Sequence, residues 1–431
     1  MNLRKRLFAN PIWILASAVV LLVVGFGIYN IPYVNYRLAW RVDAAVAYAR
    51  GVIYPADQAP VPLSVGDSPV VVLDEPVFTP KPPTPTPSAV PTQTIFTHTP
   101  GPTATPTPTP TPIPQVVFLE SPKWEKQDWN NCGPATLSLY LRTYGWEGDQ
   151  FDISELLKPF RGDKNVNVEE LVYYVRTRAG WLNAEFRVGG DFDTLKNLVA
   201  AGFPVMIEEG YVGETTFYPN DDKWLGHYLL VTGYNDSTKT FTVQDTYKGA
   251  NQIRTFEELD EGWKAFNRVY IVVYQPFQEE RIKTILGPHW DADYNRQHAL
   301  DVAQAEVDAN PEDAFAWFNL ASNKMYFEQY EESAADYDVA RTLGLPQRMY
   351  RYQFGPFISY FHSFRVDDLM ALTEYALQRT SNSEEALLWR GWGYFRQGKT
   401  QQAIDSFNAA IKANPYYEDA QYAVNYVTSL P

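Results

Sequence analysis

The stretch from Thr79 to Pro114, TPKPPTPTPSAVPTQTIFTHTPGPTATPTPTPTPIP, constrains this chain more than any other. It is almost entirely Pro, Thr and small residues, so it has too little apolar surface to bury a core. Proline fixes φ and removes a backbone donor, which favours an extended, polyproline-like spacer. At ~3.1 Å per residue such a stretch reaches on the order of 100 Å. His98 lies inside it and is expected to be solvated. The 431 residues therefore cannot form one continuous domain, and the folded parts must lie outside this stretch.

Upstream, Ile12 to Ile31 runs about 20 residues without a charge, the length a helix needs to cross hydrocarbon. Arg4, Lys5 and Arg6 precede it and favour an inside N-terminus, although Arg37 and Arg41 on the far flank weaken the bias. A cleaved signal peptide is the alternative, but the run is long for one and no A-x-A site follows closely. The expectation is a single transmembrane helix in an anchor segment, 1–54, with a short juxtamembrane helix over 34–54. A linker, 55–116, then acts as a stalk. On this reading the chain sits in the plasma membrane with its N-terminus cytoplasmic and its folded domains extracytoplasmic.

Net charge is -15 and the sequence pI is near 4.9, which argues against nucleic acid, whose phosphates call for Lys and Arg. The single cysteine, Cys132, excludes an intramolecular disulfide and a multi-cysteine metal site. The histidines at 98, 227, 289, 298 and 362 show no H-x-x-x-H spacing. No metal and no cofactor is expected.

From 117 to 280 the pattern is mixed. Pro134 to Tyr144 is apolar-periodic and helical, and VNVEELVYYVRTRAG is a second helix stopping at Gly180. AEFRV reads as a strand, DFDTLKNLVAAG as a capped helix and FPVMIEEG as a strand. GHYLLVTGYND and TFTVQD read as strands joined by a polar turn, TFEELDEGW as a helix and RVYIVVYQ as a strand. Helices followed by an antiparallel sheet make an α+β domain.

From 281 to 431 strand signals vanish and repeats appear. Ala299, Ser333, Leu369 and Ala403 fall at steps of 34, 36 and 34. The segment ALLWRGWGYFRQGKTQQAIDSFNAAIKANP, with Gly391, Tyr394, Gly398, Ala403, Phe407, Ala410 and Pro415, resembles the tetratricopeptide repeat, an all-α solenoid. Such arrays bind peptides or proteins on a concave face; an intramolecular brace is the alternative. GYFRQGKT, from Gly393 to Thr400, also fits the phosphate-loop letters G-x-x-x-x-G-K-[ST]. That loop needs a strand before it, and here a helix precedes it, so no nucleotide is expected.

Cys132 precedes Pro134, which suits a helix start. The partial positive charge there favours a thiolate. A thiolate nucleophile needs a base, and His227 is the one histidine between residues 99 and 288. A hairpin centred on Asp236 would pair Val231 with Phe241, Leu229 with Val243 and His227 with Asp245, so that Asp245 orients the imidazole. A one-residue slip would turn one partner away. Gln127, five residues before Cys132, is placed to donate its side-chain amide to an oxyanion, and the Cys132 amide supplies a second donor. Trp129 and Trp224 are candidates for lining a substrate groove, with core packing as the alternative. The long segment EGYVGETTFYPNDDKWLG before His227 suits binding contacts. His289, His298 and His362 read as structural.

Gln127, then Asn-Cys-Gly-Pro-Ala-Thr opening a helix, then Gly-His-Tyr-x-x-x-x-Gly-Tyr and an Asp 18 residues on, resembles the papain-like cysteine peptidases, closest to the bacteriocin-processing family 39 of clan CA. The resemblance implies Cys132 as nucleophile, His227 as base, Asp245 as orienting residue and Gln127 as oxyanion donor. Relatives often carry Asp-Pro where this chain has Asp245–Thr246. Transporter-fused members carry membrane and ATPase domains absent here, so their double-glycine leader substrates do not carry over. The expected function is a membrane-anchored thiol peptidase acting on a peptide or protein substrate, with a protein partner or substrate on the repeats. The same triad with an amine acceptor would make an acyltransferase or transpeptidase, and a non-catalytic binding scaffold is the third reading.

Overall fold

The structure is a computed structural model. It describes residues 11–31 and scattered positions to 53, then 59–63, 113–159, 165–213, 223–346 and 348–430. Most of the Pro/Thr stretch and residues 214–222 of the long segment before His227 lie outside the described residues.

Pro11–Tyr29 is a helix. It ends before the expected Ile31, where the main-chain and side-chain amides of Asn30 both bond the Phe26 carbonyl, at 3.1 and 2.7 Å. Among the described residues no helix is long and apolar enough to cross a membrane, which corrects the expected transmembrane helix.

The second region is α+β, as expected. Seven strands form one sheet in the order β2-β7-β3-β4-β5-β6, with β1 also on β4. They are β1 Val116–Phe118, β2 Asn183–Arg187, β3 Val205–Val212, β4 Trp224–Asn235, β5 Thr240–Asp245, β6 Gly249–Thr255 and β7 Tyr270–Tyr274. The pairings are antiparallel. One face packs on helices Cys132–Arg142, Gln150–Leu157 and Val168–Arg178 through Leu137, Tyr140, Leu171 and Leu230. The other packs on helices Phe192–Ala200 and Phe256–Lys264 through Leu195, Leu198, Val243 and Trp263. Capping explains several starts: Asp191 accepts from the Thr194 amide, and Thr255 and Glu258 form a capping box. Helix Glu279–Leu286 buries Ile282 and Leu286 in this second core, so the domain's packing continues past residue 280. Sequence pattern had singled out neither β1, β6 nor helix Gln150–Leu157. β6 is short of apolar residues because its side chains are mostly half-buried or exposed.

The remainder is helical, from Ala292–Ala309 to Glu418–Ser429. Paired helices close on small residues: Ala321, Ser333 and Ala403 are buried, and a Cβ on Gly391 would meet the Phe407 ring at 2.3 Å. Gly398, at φ +71°, is the turn between helices Glu384–Arg396 and Thr400–Ala413, so GYFRQGKT has a helix before its glycine turn, not a strand.

Candidate active site

Cys132 is the first residue of helix Cys132–Arg142 and is half-buried. Pro134 is third rather than first. The substitution of position is harmless, because the first four amides of a helix have no partner within it. Asn131 provides no side-chain cap. The preceding turn is held instead by Gln150, whose Oε1 accepts from the Asp128 amide at 2.7 Å and from Asn131 Nδ2 at 2.9 Å. Gln150 Nε2 donates to the Lys126 carbonyl at 2.9 Å. Asn130 takes a left-handed φ of 52°, which Asn tolerates, and its carbonyl accepts from Lys158 Nζ at 2.5 Å.

His227 lies on β4 and is 3 % exposed. Its Nε2 stands 3.0 Å from Asp245 Oδ1. The ring also faces the Cys132 side chain and interacts with its thiol. Asp245, fully buried on β5, accepts on Oδ1 from the amides of Tyr247 and Lys248 at 2.8 and 2.9 Å. Arg254 Nη2 lies 3.7 Å from its Oδ2. Trp124 Nε1 donates to the Asp245 carbonyl at 2.9 Å.

These contacts set the charges. Burial raises the thiol pKa, but the hydrogen bond and charge of His227, the Lys158 ammonium and the Tyr228 amide outweigh it and bring it below its ordinary value. Burial depresses the imidazole, yet Asp245 and Cys132 overcome that and push it up to about 10. Asp245 is raised by burial but held at about 2 by His227 and the two amides. The arrangement favours a thiolate–imidazolium pair.

The expected hairpin register is not the one that forms. Leu229 pairs with Asp245 and Val231 with Val243, and beyond an irregularity at Thr232 Asn235 pairs with Thr240. His227 is therefore diagonal to Asp245 on the same face, not opposite it. The turn is longer than the sequence suggested, and a bulge, which has no clear sequence signature, absorbs one residue.

Gln127 is half-buried beside Thr246. Its amide N–H donates to the Thr246 carbonyl at 2.9 Å, and Thr246 Oγ1 donates to its Oε1 at 3.0 Å. With Oε1 engaged, the NH2 of Gln127 is the end left to act as a donor. The sequence had shown Thr246 only as a departure from Asp-Pro.

Trp129 is half-buried in the turn just before Cys132. Trp224 is 6 % exposed and stacks on Phe266 at 5.8 Å, with Phe315 and Tyr352 also against it. A Cβ on Gly210 would meet the Trp224 ring at 2.4 Å. Of its two expected roles Trp224 therefore takes packing, and it does not line a groove. Lys158, Gln150, Arg254 and Trp124 were missed. Each is a common residue type whose role depends on a contact far along the chain.

A cleft of about 810 Å³ lies between the α+β domain and the repeats, lined by Glu169 and Phe266 on one side and Tyr352 and Tyr417 on the other. Glu208 lines it, is buried, and hydrogen-bonds Tyr228, the residue opposite it across β3 and β4. The Tyr228 hydroxyl donates to the Val166 carbonyl at 2.9 Å, and its presence beside the Glu208 carboxyl favours the charged form. Burial outweighs this and pushes the Glu208 pKa well up. Among the described residues no group of three or more His, Cys, Asp or Glu could hold a metal ion.

Residues 114–272 match the Peptidase_C39 like family, and residues 384–417 match the tetratricopeptide repeat. The chain thus carries a C39-like peptidase domain joined to tetratricopeptide repeats, as the resemblance implied. Among solved structures it is similar to a C39-like peptidase from Bacillus anthracis, at 18% identity over 37% of this chain and 98% of that one, with a TM-score of 0.30. It is also similar to a double glycine motif protease from an AMS/PCAT transporter, solved in complex with the leader peptide. There the identity is 18%, over 37% of this chain and 94% of that one, with a TM-score of 0.27. Neither likeness bears on the substrate of this chain. No curated protein matches it.

Proposed function

We propose that this chain is a cysteine peptidase that hydrolyses peptide bonds through Cys132, His227 and Asp245, with Gln127 as oxyanion donor. The observation that carries the reading is the His227 ring, bonded on one side to Asp245 and on the other to a cysteine that opens a helix. The Cys132 thiolate attacks the scissile carbonyl, and the oxyanion that develops is stabilised by Gln127 Nε2 and the Cys132 amide. The His227 imidazolium passes its proton to the leaving amine as the carbon–nitrogen bond breaks, giving an acyl-enzyme. Water, deprotonated by His227, then releases the acid and restores the thiolate.

The substrate is a peptide or protein, and Trp129, in the turn just before Cys132, contacts it on this reading. The location outside the cytoplasm belongs to the proposal, supported by Arg4, Lys5 and Arg6 before an apolar run, the pattern of a secretory signal. The test of the chemistry is alkylation by iodoacetamide at pH 6. Cys132 should react at least tenfold faster than a free thiol, and His227→Ala should abolish the advantage. A rate that rises only near pH 8.5, as for an ordinary thiol, refutes the reading.

A further inference from the structure

The repeats contain a buried charged cluster. Arg341 and Asp368, with side chains 2% and 5% exposed, lie 3.2 Å apart. The Tyr360 hydroxyl accepts from Arg341 at 2.7 Å and donates to Asp338 at 2.7 Å. Arg365 bonds both Asp338 and Asp368. A buried ion pair adds little net stability, because desolvation offsets most of the attraction. Two of the hydrogen bonds in this cluster leave the repeats altogether. Arg341 Nη2 donates to the Pro60 carbonyl, and the Leu63 amide donates to Asp368 Oδ1 at 3.1 Å. Ala59 packs, partly buried, on the core that the repeats share with the peptidase domain.

The segment Ala59–Leu63, APVPL, is therefore read through its backbone, while Val61 is 74 % exposed to solvent. Its sequence is made for this. Pro60 and Pro62 fix φ, and Ala59 and Val61, each before a proline, are biased to extended backbone. The Pro60 carbonyl and the Leu63 amide meet the same pair of side chains, Arg341 and Asp368. A guanidinium meets the carbonyl and a carboxylate meets the amide. Pro62, between them, has no amide to leave unpaired.

We propose that Arg341 and Asp368 form a docking site for extended, proline-containing backbone, and that its resident occupant is this chain's own residues 59–63. Both ends of the intervening chain are then fastened, Leu63 to the repeats and Val116–Phe118 to the sheet. The Pro/Thr stretch joins two points of one folded body instead of separating that body from the N-terminal helix. The tether to that helix is then the chain between Asn30 and Ala59.

The test uses the full chain and a fluorescein-labelled peptide of residues 57–66, DQAPVPLSVG, followed by anisotropy. Leu63→Pro removes the amide donor without touching the repeats. The wild-type site is filled in cis at a local concentration in the millimolar range, so the Leu63→Pro chain should bind the peptide at least tenfold more tightly. Asp368→Ala added to Leu63→Pro should abolish that binding, with circular dichroism checking that the repeats stay helical. Independently, hydrogen exchange at the Leu63 amide should be at least tenfold slower in the wild-type chain than in the free peptide. Equal affinity for wild type and Leu63→Pro, no binding to either, or a free-peptide exchange rate overturns the proposal. Tighter binding by a peptide of residues 103–112, TATPTPTPTP, overturns the assignment of the occupant and gives the site to the Pro/Thr stretch.

Discussion

Thr246→Val separates stabilisation of the oxyanion from activation of the thiolate. Thr246 is fully buried, and valine keeps its branched shape while deleting only the hydroxyl that bonds Gln127 Oε1 at 3.0 Å. The backbone bond from Gln127 to the Thr246 carbonyl is untouched, so Gln127 stays in place but its amide is free to rotate end for end. One neutral hydrogen bond contributes about 0.5–1.5 kcal/mol net. That bounds the lost orientational preference, and at ~1.4 kcal/mol per factor of ten it predicts a roughly 2- to 10-fold slower acylation. Removing the donor itself, in Gln127→Ala, should cost about 10²- to 10³-fold.

Two reagents read the difference without the natural substrate. Acylation by p-nitrophenyl acetate passes through a tetrahedral oxyanion, whereas alkylation by iodoacetamide displaces iodide at a saturated carbon and forms none. With Cys132→Ala as the blank, Thr246→Val should slow the first and leave the second unchanged, and Thr246→Ser should restore the first. The Thr246→Val/Gln127→Ala double variant should be no slower than Gln127→Ala alone, since both act on one donor. An equal loss with both reagents would place Thr246 on the thiolate instead. Acylation at the wild-type rate in Thr246→Val would refute the positioning argument.

Asp245→Asn should slow iodoacetamide alkylation near neutral pH, because the imidazolium partner of the thiolate loses its counter-charge. In the wild type, Asp245 has a folded pKa of about 2 against an ordinary 3.8, so it contributes stability above pH 3.8 that is lost as pH falls toward 2. His227, raised from 6.5 to about 10, contributes stability below pH 6.5 that is lost as pH rises through 10, so these two groups together favour the fold most between those limits. Denaturant titrations of wild type and Asp245→Asn across pH 2–6 should differ in slope, and parallel curves would contradict the assignment. Glu208 has its pKa raised by burial, so wild-type stability should fall as pH climbs above 4.5, and Glu208→Gln, which cannot ionise, should flatten that decline.

Local signals carried much of the organisation. Helix Val168–Arg178 follows its expected apolar period, and the repeat helices follow the spacing of Ala299, Ser333, Leu369 and Ala403. The lone cysteine before Gly133 and Pro134 was enough to place a helix start. What sequence concealed depends on contacts across long separations. Gln150 shapes the turn before Cys132 from 19 residues away, and Thr246 meets Gln127 across 119. Trp224, large and near His227 in sequence, looked suited to a groove, but the repeats cover it, and no local pattern announces which domain will pack on a given tryptophan. The Pro/Thr composition suggested a stalk, while five residues outside it, Ala59–Leu63, are fastened to the repeats.

The register of the His227 hairpin shows how a correct pairing can follow from a wrong derivation. If the pairing of Asn235 with Thr240 ran on unbroken, His227 would fall opposite Lys248, three residues from Asp245 and on the other face of the sheet. The extra residue at Thr232 shifts the register by one and returns both side chains to one face, where they meet at 3.0 Å. The bulge is itself held from outside the hairpin. The Thr232 carbonyl accepts from the Leu119 amide at 2.8 Å, and β1 pairs alongside, Val117 with Tyr234 and Phe118 with Gly233. A Cβ on Gly233 would lie 2.7 Å from the Val117 carbonyl, so only glycine lets β1 close on the bulge. The first strand after the Pro/Thr stretch thus fixes the parity of β4, and with it whether the histidine and the aspartate face each other at all.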